Sequence, residues 1–555
     1  MGGALGRAAL RVIIGEGLDM ATTVENRIAL DAKVLQSYLG GKWQAGAERG
    51  TPLVNPCDGT VLAWASSKGL DLKAALDYSR NVGCPELRKL TYAQRSELLG
   101  KIADLLATRR DEWYEIARKN SGNTNSDATI DVDGSIGTLK YFAKVGTKLG
   151  DAQMLRDGSP KRLARDQNFQ GLHVGVPLDG VAVHINAFNF PAWGLWEKAA
   201  VSLLAGVPLL SKPATSTAWL AQEMVSAVIE AAILPPGSLS ILCGSPNGLL
   251  SHLRLGDIVA FTGSADTGAG IREHPRIREQ GVRVNIEADS LNAALLGPDA
   301  APGSPAFNFF VREVVREMTS KTGQKCTAIR RVLVPAEQAA AAVDAIAAGL
   351  SKVVVGNPAN PTVTMGPVVN MTQRRSVEEG IRSLSEQTQV GYSPGSFAPV
   401  DASAEQGAFV PPTLLKLSDS RDGQIVHEME VFGPVATVVP YRDRQDAFMI
   451  ARRGGGSLAA SVFSSDTAFL AQAAATLGTT HGRVLLVDPS IGDSHTGHGI
   501  VLPSCLHGGP GRAGGGEELG GLLGLWFYHQ RVAMQGSAAT ISSLGSQAAN
   551  PSAEQ

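Results

Sequence analysis

GVAVHINAFNFPAWGLWEKAAVSLLAGVPLLSKPA, residues 180–214, runs from an apolar strand through a short loop into a helix and out into a second apolar strand. Residues 180–185 are apolar on both faces apart from His184, and residues 207–210 are apolar on both as well. Strands of that kind are buried on both sides, the mark of a parallel sheet covered by helices. The helical pattern at 196–204 supplies the first crossover, and that at 217–232 the second. Residues 238–243 and 258–261 repeat the strand signal, so this part of the chain reads as α/β with a parallel sheet.

Toward the amino terminus, residues 34–43 and the segment Asn55-Pro56-Cys57-Asp58-Gly59-Thr60 read as short strands joined at an Asp-Gly turn. Helical periodicity follows at 72–81, at 91–108, and in one long run from 111 to 149. The polar stretch 151–172 interrupts both patterns and predicts a protruding hairpin. Beyond Val284 the strand–helix alternation resumes. A helix over 306–321 leads into the loop holding Cys326, with strands at 330–334 and 432–440 and a helix at 336–350. Residues 495–521 hold ten glycines and read as loop. A closing strand is expected at 522–532, and the polar residues 536–555 as a mobile tail.

At 555 residues the chain is long enough for two or three domains. A net charge of −2 offers no basic field for nucleic acid or an anionic membrane. No apolar run approaches the ~18 residues of a membrane span. The cysteines Cys57, Cys84, Cys243, Cys326 and Cys505 are odd in number and scattered, without a C-x-x-C pair. That argues against a disulfide framework or a structural zinc and fits a reducing, cytoplasmic setting. Arg7 and Arg11 flank a weakly apolar start, but Val12-Ile13-Ile14 is too short for a targeting segment and Glu16 follows. Met20 is an alternative start, which would make residues 1–19 an extension. His495, His498, Cys505 and His507 are zinc-ligand types at close spacing. In so glycine-rich a loop they read as packing or substrate contacts, and no metal is expected.

Three side chains suit covalent oxidation of an aldehyde. Cys326, in Thr322-Gly323-Gln324-Lys325-Cys326-Thr327, offers a thiol that adds to a carbonyl. Asn189, in Ala187-Phe188-Asn189-Phe190-Pro191, offers an amide to an oxyanion. Glu287, in Asn285-Ile286-Glu287-Ala288-Asp289-Ser290, offers a carboxylate that activates water. Lys212, at the end of strand 207–210 in Ser211-Lys212-Pro213-Ala214-Thr215, is placed for ribose or phosphate oxygens. Phe261-Thr262-Gly263-Ser264 turns a strand into a helix whose amino terminus favours a pyrophosphate, although it is not a G-x-G-x-x-G fingerprint. No Cys–His partnership is evident.

Taken in order, Phe188-Asn189-Phe190-Pro191, Lys212-Pro213-Ala214, Phe261-Thr262-Gly263-Ser264, Glu287, Gly323-Gln324-Lys325-Cys326 and Glu430-Val431-Phe432-Gly433-Pro434 resemble the aldehyde dehydrogenase superfamily over roughly residues 36–530. Residues 186–191, 323–327 and 507–515 look like its CoA-thioester semialdehyde dehydrogenases of aerobic aromatic degradation. The resemblance implies an α/β fold: a Rossmann-type cofactor-binding domain (34–150 and 173–286), an α/β catalytic domain (287–517) and a β oligomerisation arm (151–172 and 518–533). Residues 1–33 become a partly disordered extension and 534–555 a mobile tail.

The same resemblance makes Cys326 the nucleophile, Asn189 and the Cys326 N–H the oxyanion donors, and Glu287 the base for the deacylating water. Glu430 falls to the nicotinamide ribose and Phe432 beside the ring, while Lys212, Thr215, Gly263 and Ser264 fall to the adenosine ribose and pyrophosphate. Thr215 stands where many NAD-preferring relatives have glutamate. Without that carboxylate's repulsion of a 2′-phosphate, NADP is expected, with NAD the alternative. Ala288-Asp289 departs from the leucine and glycines of many relatives. The implied activity is NADP-dependent oxidation of a CoA-linked semialdehyde by a cytoplasmic homodimer. Open alternatives are the phenylacetate-pathway substrate or another aldehyde, acyl transfer to CoA, thiol hydrolysis without cofactor, and a non-catalytic scaffold. Some relatives continue into a hydratase. Only about two dozen residues follow Arg531 here, so that second activity is expected to be absent. Trp193 and Trp196 read as packing or tunnel walls, and Arg512 as a phosphate contact.

Overall fold

Residues 180–214 form the strand Ala182–Ile185, the helix Pro191–Ala205 and the strand Leu209–Lys212. Pro191 opens the helix where its missing N–H is not needed, and Gly206 closes it in the left-handed conformation at φ 85°. All of this helix except Gly194 is buried, because it packs against the helices Tyr92–Thr108 and Asn125–Leu149. The two strands pair in parallel, with Ala182 opposite Leu209 and Ile185 opposite Lys212.

The computed structural model describes residues 28–549, so the expectations for residues 1–19 and a start at Met20 lie outside the described residues. In spatial order, the first sheet runs Arg283–Glu287, Ile258–Thr262, Ala182–Ile185, Leu209–Lys212 and Leu239–Ile241, all parallel, and ends in the antiparallel pair Ser37–Leu39 and Lys42–Gln44. Glu287 and Thr262 lie side by side at its carboxyl edge. The second sheet runs Gln389–Tyr392, Thr413–Lys416, Val435–Tyr441, Arg331–Pro335, Ala293–Leu296, Ser457–Phe463 and His481–Val487, parallel except at the first strand. Ala293 and Leu295 join the core on one of its faces, and Ala294 and Leu296 the core on the other. Those two cores explain why its strands are apolar throughout.

The hairpin expected at 151–172 is the antiparallel pair Met154–Arg162 and Phe169–Pro177, extended by His529–Ser537 and the short strand Ala548–Ala549. Four expectations need correction. The helix predicted from 111 to 149 is two, Arg110–Ser121 and Asn125–Leu149. Gly122 ends the first at φ 69°, and Thr124 starts the second with a reciprocal cap to Asp127, signals that strong periodicity on both sides obscured. The strand predicted at 522–532 begins as the helix Leu522–Phe527, and the strand starts only at His529. The tail is not a mobile appendage through 549. The helix Ala538–Ser546, capped by Ser537, buries Ile541 against Leu172 and Val174. Residues 28–33 of the presumed extension belong to the strand Ile28–Leu35, which pairs with Val61–Ala65.

Candidate active site

The helix Pro305–Thr319 delivers the chain into a strained turn ahead of Cys326. Lys321, Thr322 and Gly323 are successive left-handed residues at φ 49°, 55° and 66°. For the two non-glycines that conformation costs on the order of 1–2 kcal/mol each. Fixed partners hold it. The Lys321 N–H donates to Asp127 Oδ1 at 2.7 Å, Thr322 Oγ1 to the Gly366 carbonyl at 2.9 Å, and Arg330 Nη2 to the Gly323 carbonyl at 2.9 Å. Asn292 Nδ2 donates to the carbonyls of Cys326 at 2.8 Å and Ala328 at 3.0 Å. A Cβ on Gly323 would lie 2.2 Å from the Gly433 carbonyl oxygen, so glycine is required there by space as well as by φ.

Two cavities meet at Cys326. The larger, about 510 Å³, is a cleft whose lining includes Asn189, Lys212, Thr215, Gly263, Ser264, Glu287, Glu430 and Phe432, so it gathers every site residue read from the sequence. The smaller lies on the other side, walled by Phe190, Trp193 and Val501, and shares Asn189, Thr262, Glu287 and Cys326 with the cleft. Trp193 is thus a cavity wall, whereas Trp196 is fully buried packing.

Within the cleft, the Glu430 carboxylate accepts from the Ser290 N–H at 3.0 Å and faces Arg330 Nε at 3.4 Å. Phe432 packs edge-on against Phe188 with ring centres 5.7 Å apart. Lys212 is buried, which lowers the pKa of its ammonium, and it forms no ion pair among the described residues. That leaves a cation facing the cleft. Thr215 Oγ1 donates to the Gly244 carbonyl at 3.3 Å. Ser264 caps the helix Ala265–Glu273, whose Ala265 N–H donates to Asp289 Oδ1 at 3.0 Å. The Ala288-Asp289 departure therefore has a structural use: Asp289 ties the Glu287 strand end to this helix. Arg512, taken as a phosphate contact, instead donates to the Glu428 carbonyl and lies 3.6 Å from Asp289.

The carboxylate of Glu287 sits beside the thiol. Burial alone would raise its pKa, but His507 and then Lys198 overcome this, pulling it down to about 2. Burial, followed by the charge of Glu287, raises the Cys326 thiol well above its ordinary value, so the resting sulfur is protonated and faces an ionised acceptor. His507 Nε2 lies 3.2 Å from Glu287 Oε1, and one ligand atom from each of Cys326, Glu287 and His507 falls within 4.8 Å of the others. Behind them, Lys198 Nζ is 2.9 Å from Glu197 and 3.1 Å from Glu518, and these carboxylates keep it charged despite burial.

His507, read from the sequence only as a packing or substrate contact, is brought by the structure against the Glu287 carboxylate, a partner that sequence reasoning missed. The partners are far apart in the chain and meet only because the ribbon Leu506–Gly508 with Glu517–Leu519 folds back across Glu287. The other members of the histidine and cysteine group disperse. His498 Nδ1 lies 2.5 Å from Ser461 Oγ, and Cys505 is exposed.

A family model for the aldehyde dehydrogenases matches residues 43–500. The chain belongs to the aldehyde dehydrogenase family. It is an oxidoreductase acting on aldehydes, in a family that uses NAD(P). The chain is 52% identical over 478 residues to the 3,4-dehydroadipyl-CoA semialdehyde dehydrogenase of Aromatoleum evansii, covering 86% of this chain and 93% of that one. It is 29% identical over 440 residues to the alpha-ketoglutarate semialdehyde dehydrogenase of Haloferax volcanii, covering 78% and 86%. Betaine aldehyde dehydrogenase of Staphylococcus aureus, solved as a point mutant with NAD+, matches with a TM-score of 0.78 at 22% identity over 90% of this chain and 96% of that one. At that identity the likeness speaks for the fold.

Proposed function

We propose that this aldehyde dehydrogenase oxidises the aldehyde end of a CoA-linked semialdehyde, of the 3,4-dehydroadipyl-CoA type in benzoate degradation, to the carboxylic acid, using NADP. The observation that carries the reaction is the meeting of two cavities at Cys326, with Asn189 and Glu287 on the walls of both. The 52% identity to the Aromatoleum evansii enzyme supports the substrate class.

The smaller cavity admits the aldehyde, and its carbon bonds to the Cys326 sulfur as the thiol proton leaves toward Glu287. The Asn189 amide and the Cys326 N–H stabilise the oxyanion. The cleft suits a dinucleotide: Lys212 offers an uncompensated cation, Gly263 a bare backbone, and Glu430 a carboxylate for ribose hydroxyls. When bound, the cofactor supplies the hydride acceptor that turns the adduct into a thioester. The first proton passes from Glu287 to solvent, and the freed carboxylate then takes a proton from the water that hydrolyses the thioester.

Thr215 leaves the adenosine end of the cleft without a carboxylate at that position, which favours the 2′-phosphate of NADP over a bare hydroxyl. A buried carboxylate against the sulfur favours water over CoA as acyl acceptor. The arm, with Leu163 and Phe169 exposed, fits pairing of two copies in a cytoplasmic dimer. Among the described residues no helix is long and apolar enough to cross a membrane. The test is a panel of semialdehydes, free and CoA-linked, with NADP and NAD, and analysis of the product. The CoA-linked six-carbon semialdehyde with NADP should give the highest kcat/KM and a free acid. Preference for short free aldehydes would defeat the substrate reading, and a new thioester product would defeat hydrolysis.

A further inference from the structure

His507 is buried against Glu287 by a built arrangement. It stands on the strand Leu506–Gly508, directly opposite Glu518 on the paired strand. The loop between those strands is hydrogen-bonded to the residues on either side of Glu287: the Gly516 N–H donates to the Ile286 carbonyl at 3.0 Å, and the Ala288 N–H donates to the Ala513 carbonyl at 3.0 Å. A Cβ on Gly514 or Gly516 would lie 2.3 Å from the Ile286 oxygen, so the glycines permit this contact. The imidazole and the carboxylate are therefore fixed to one another.

The two oxygens of Glu287 differ. Oε2 receives Thr262 Oγ1 at 3.5 Å. Oε1 completes no hydrogen bond among the described residues, yet His507 Nε2 stands 3.2 Å away. A proton arriving on Oε1 would meet an imidazole nitrogen able to accept it.

We propose that His507 is the proton acceptor behind Glu287, taking the proton that the carboxylate removes from the deacylating water. The inference rests on the covalent reading of Cys326. In the step, the water O–H bond breaks and its oxygen bonds to the acyl carbon. The proton passes from the water to Glu287 and on to His507. The C–S bond then breaks, the carboxylic acid leaves, and the imidazolium returns its proton to the Cys326 thiolate. The acid loses its own proton to solvent.

The charged groups facing His507 are Glu287 on its strand edge, Glu197 on the helix Pro191–Ala205, Glu518 on the paired strand, Arg483 on the strand His481–Val487, and the Cys326 thiol. Burial lowers the pKa of the imidazole and Glu287, with Glu197, more than offsets it, so His507 holds a proton above its ordinary range. The relay needs the neutral ring, so hydrolysis falls as pH drops through that raised value.

p-Nitrophenyl acetate tests this without cofactor or aldehyde, because it acylates the thiol directly. In the wild-type chain a burst of p-nitrophenolate reports acylation of Cys326, and the steady rate reports hydrolysis. His507→Gln and His507→Phe should keep the burst amplitude, slow the steady rate at least tenfold, and lose the acidic limb of its pH profile. A steady rate like wild type, or a slowed one that keeps the limb, would overturn the relay. So would loss of the burst in both variants, which would make His507 a structural residue. Absence of a burst in the wild-type chain would instead remove the covalent reading.

Discussion

The Lys325 ammonium, next in the chain to the nucleophile, lies 2.7 and 2.8 Å from the two carboxylate oxygens of Glu317, and both side chains are fully buried. The pair pins the strained turn to the helix that precedes it. Glu317→Ala leaves a buried ammonium without its partner and should cost about 3–5 kcal/mol. Replacing both residues, by leucine and methionine, should cost much less. Guanidine denaturation of the two variants checks the difference, and equal losses would contradict it.

The cofactor site should be pH-dependent through Glu430. Burial pushes its carboxyl up to about 7 in spite of Arg330. A protonated acid is a poor acceptor for ribose hydroxyls, so NADP affinity should weaken as pH falls below 7, by up to about tenfold per unit. For stability the sign is opposite. Between its ordinary value of 4.5 and about 7 the folded chain holds a proton that the unfolded chain has lost, so stability contributed here declines as pH rises across that window. Titrations of NADP binding from pH 6 to about 8 should slope for the wild type and lie flat for Glu430→Gln.

Thr215→Glu should exchange the cofactor preference. A carboxylate facing a 2′-phosphate is repulsive and facing a 2′-hydroxyl is a hydrogen-bond acceptor. The expected result is at least about a tenfold rise in the NADP KM with a fall in the NAD KM, about 1.4 kcal/mol or more of discrimination. Steady-state kinetics with both cofactors decide it.

Gly323→Ala should misplace the nucleophile rather than unfold the chain. The added Cβ would press on the Gly433 carbonyl at 2.2 Å, and the left-handed φ disfavours it further. Iodoacetamide labelling of Cys326 in a Cys505→Ser background should change in rate, and the thermal midpoint should fall, by more than the ~1–2 kcal/mol of the left-handed φ alone because the Gly433 backbone must also shift.

Much of this was legible in the chain. The parallel strands around 180–261 announce themselves because both faces are apolar, and Asn189, Lys212, Glu287 and Cys326 stand at their ends or in short ordered motifs. Gly122 was passed over because a single glycine in a strongly periodic run is weak punctuation. The tail read as mobile because its helix buries chiefly Ile541. His507 was invisible as a partner for a different reason: it meets Glu287 through a ribbon return that no local pattern encodes.

The central claim is that the acyl group is carried by Cys326 and released by water activated at Glu287. Glu287→Gln removes the carboxylate that receives the thiol proton, but also the charge that raises the thiol pKa. Acylation therefore continues while hydrolysis loses its base, and the acyl-enzyme should accumulate. Incubated with NADP and excess aldehyde, the variant should give one equivalent of NADPH. Peptide mass spectrometry should then find Cys326 carrying the aldehyde less two hydrogens. NADPH formation with an unmodified Cys326, or with the adduct on another residue, would contradict the account.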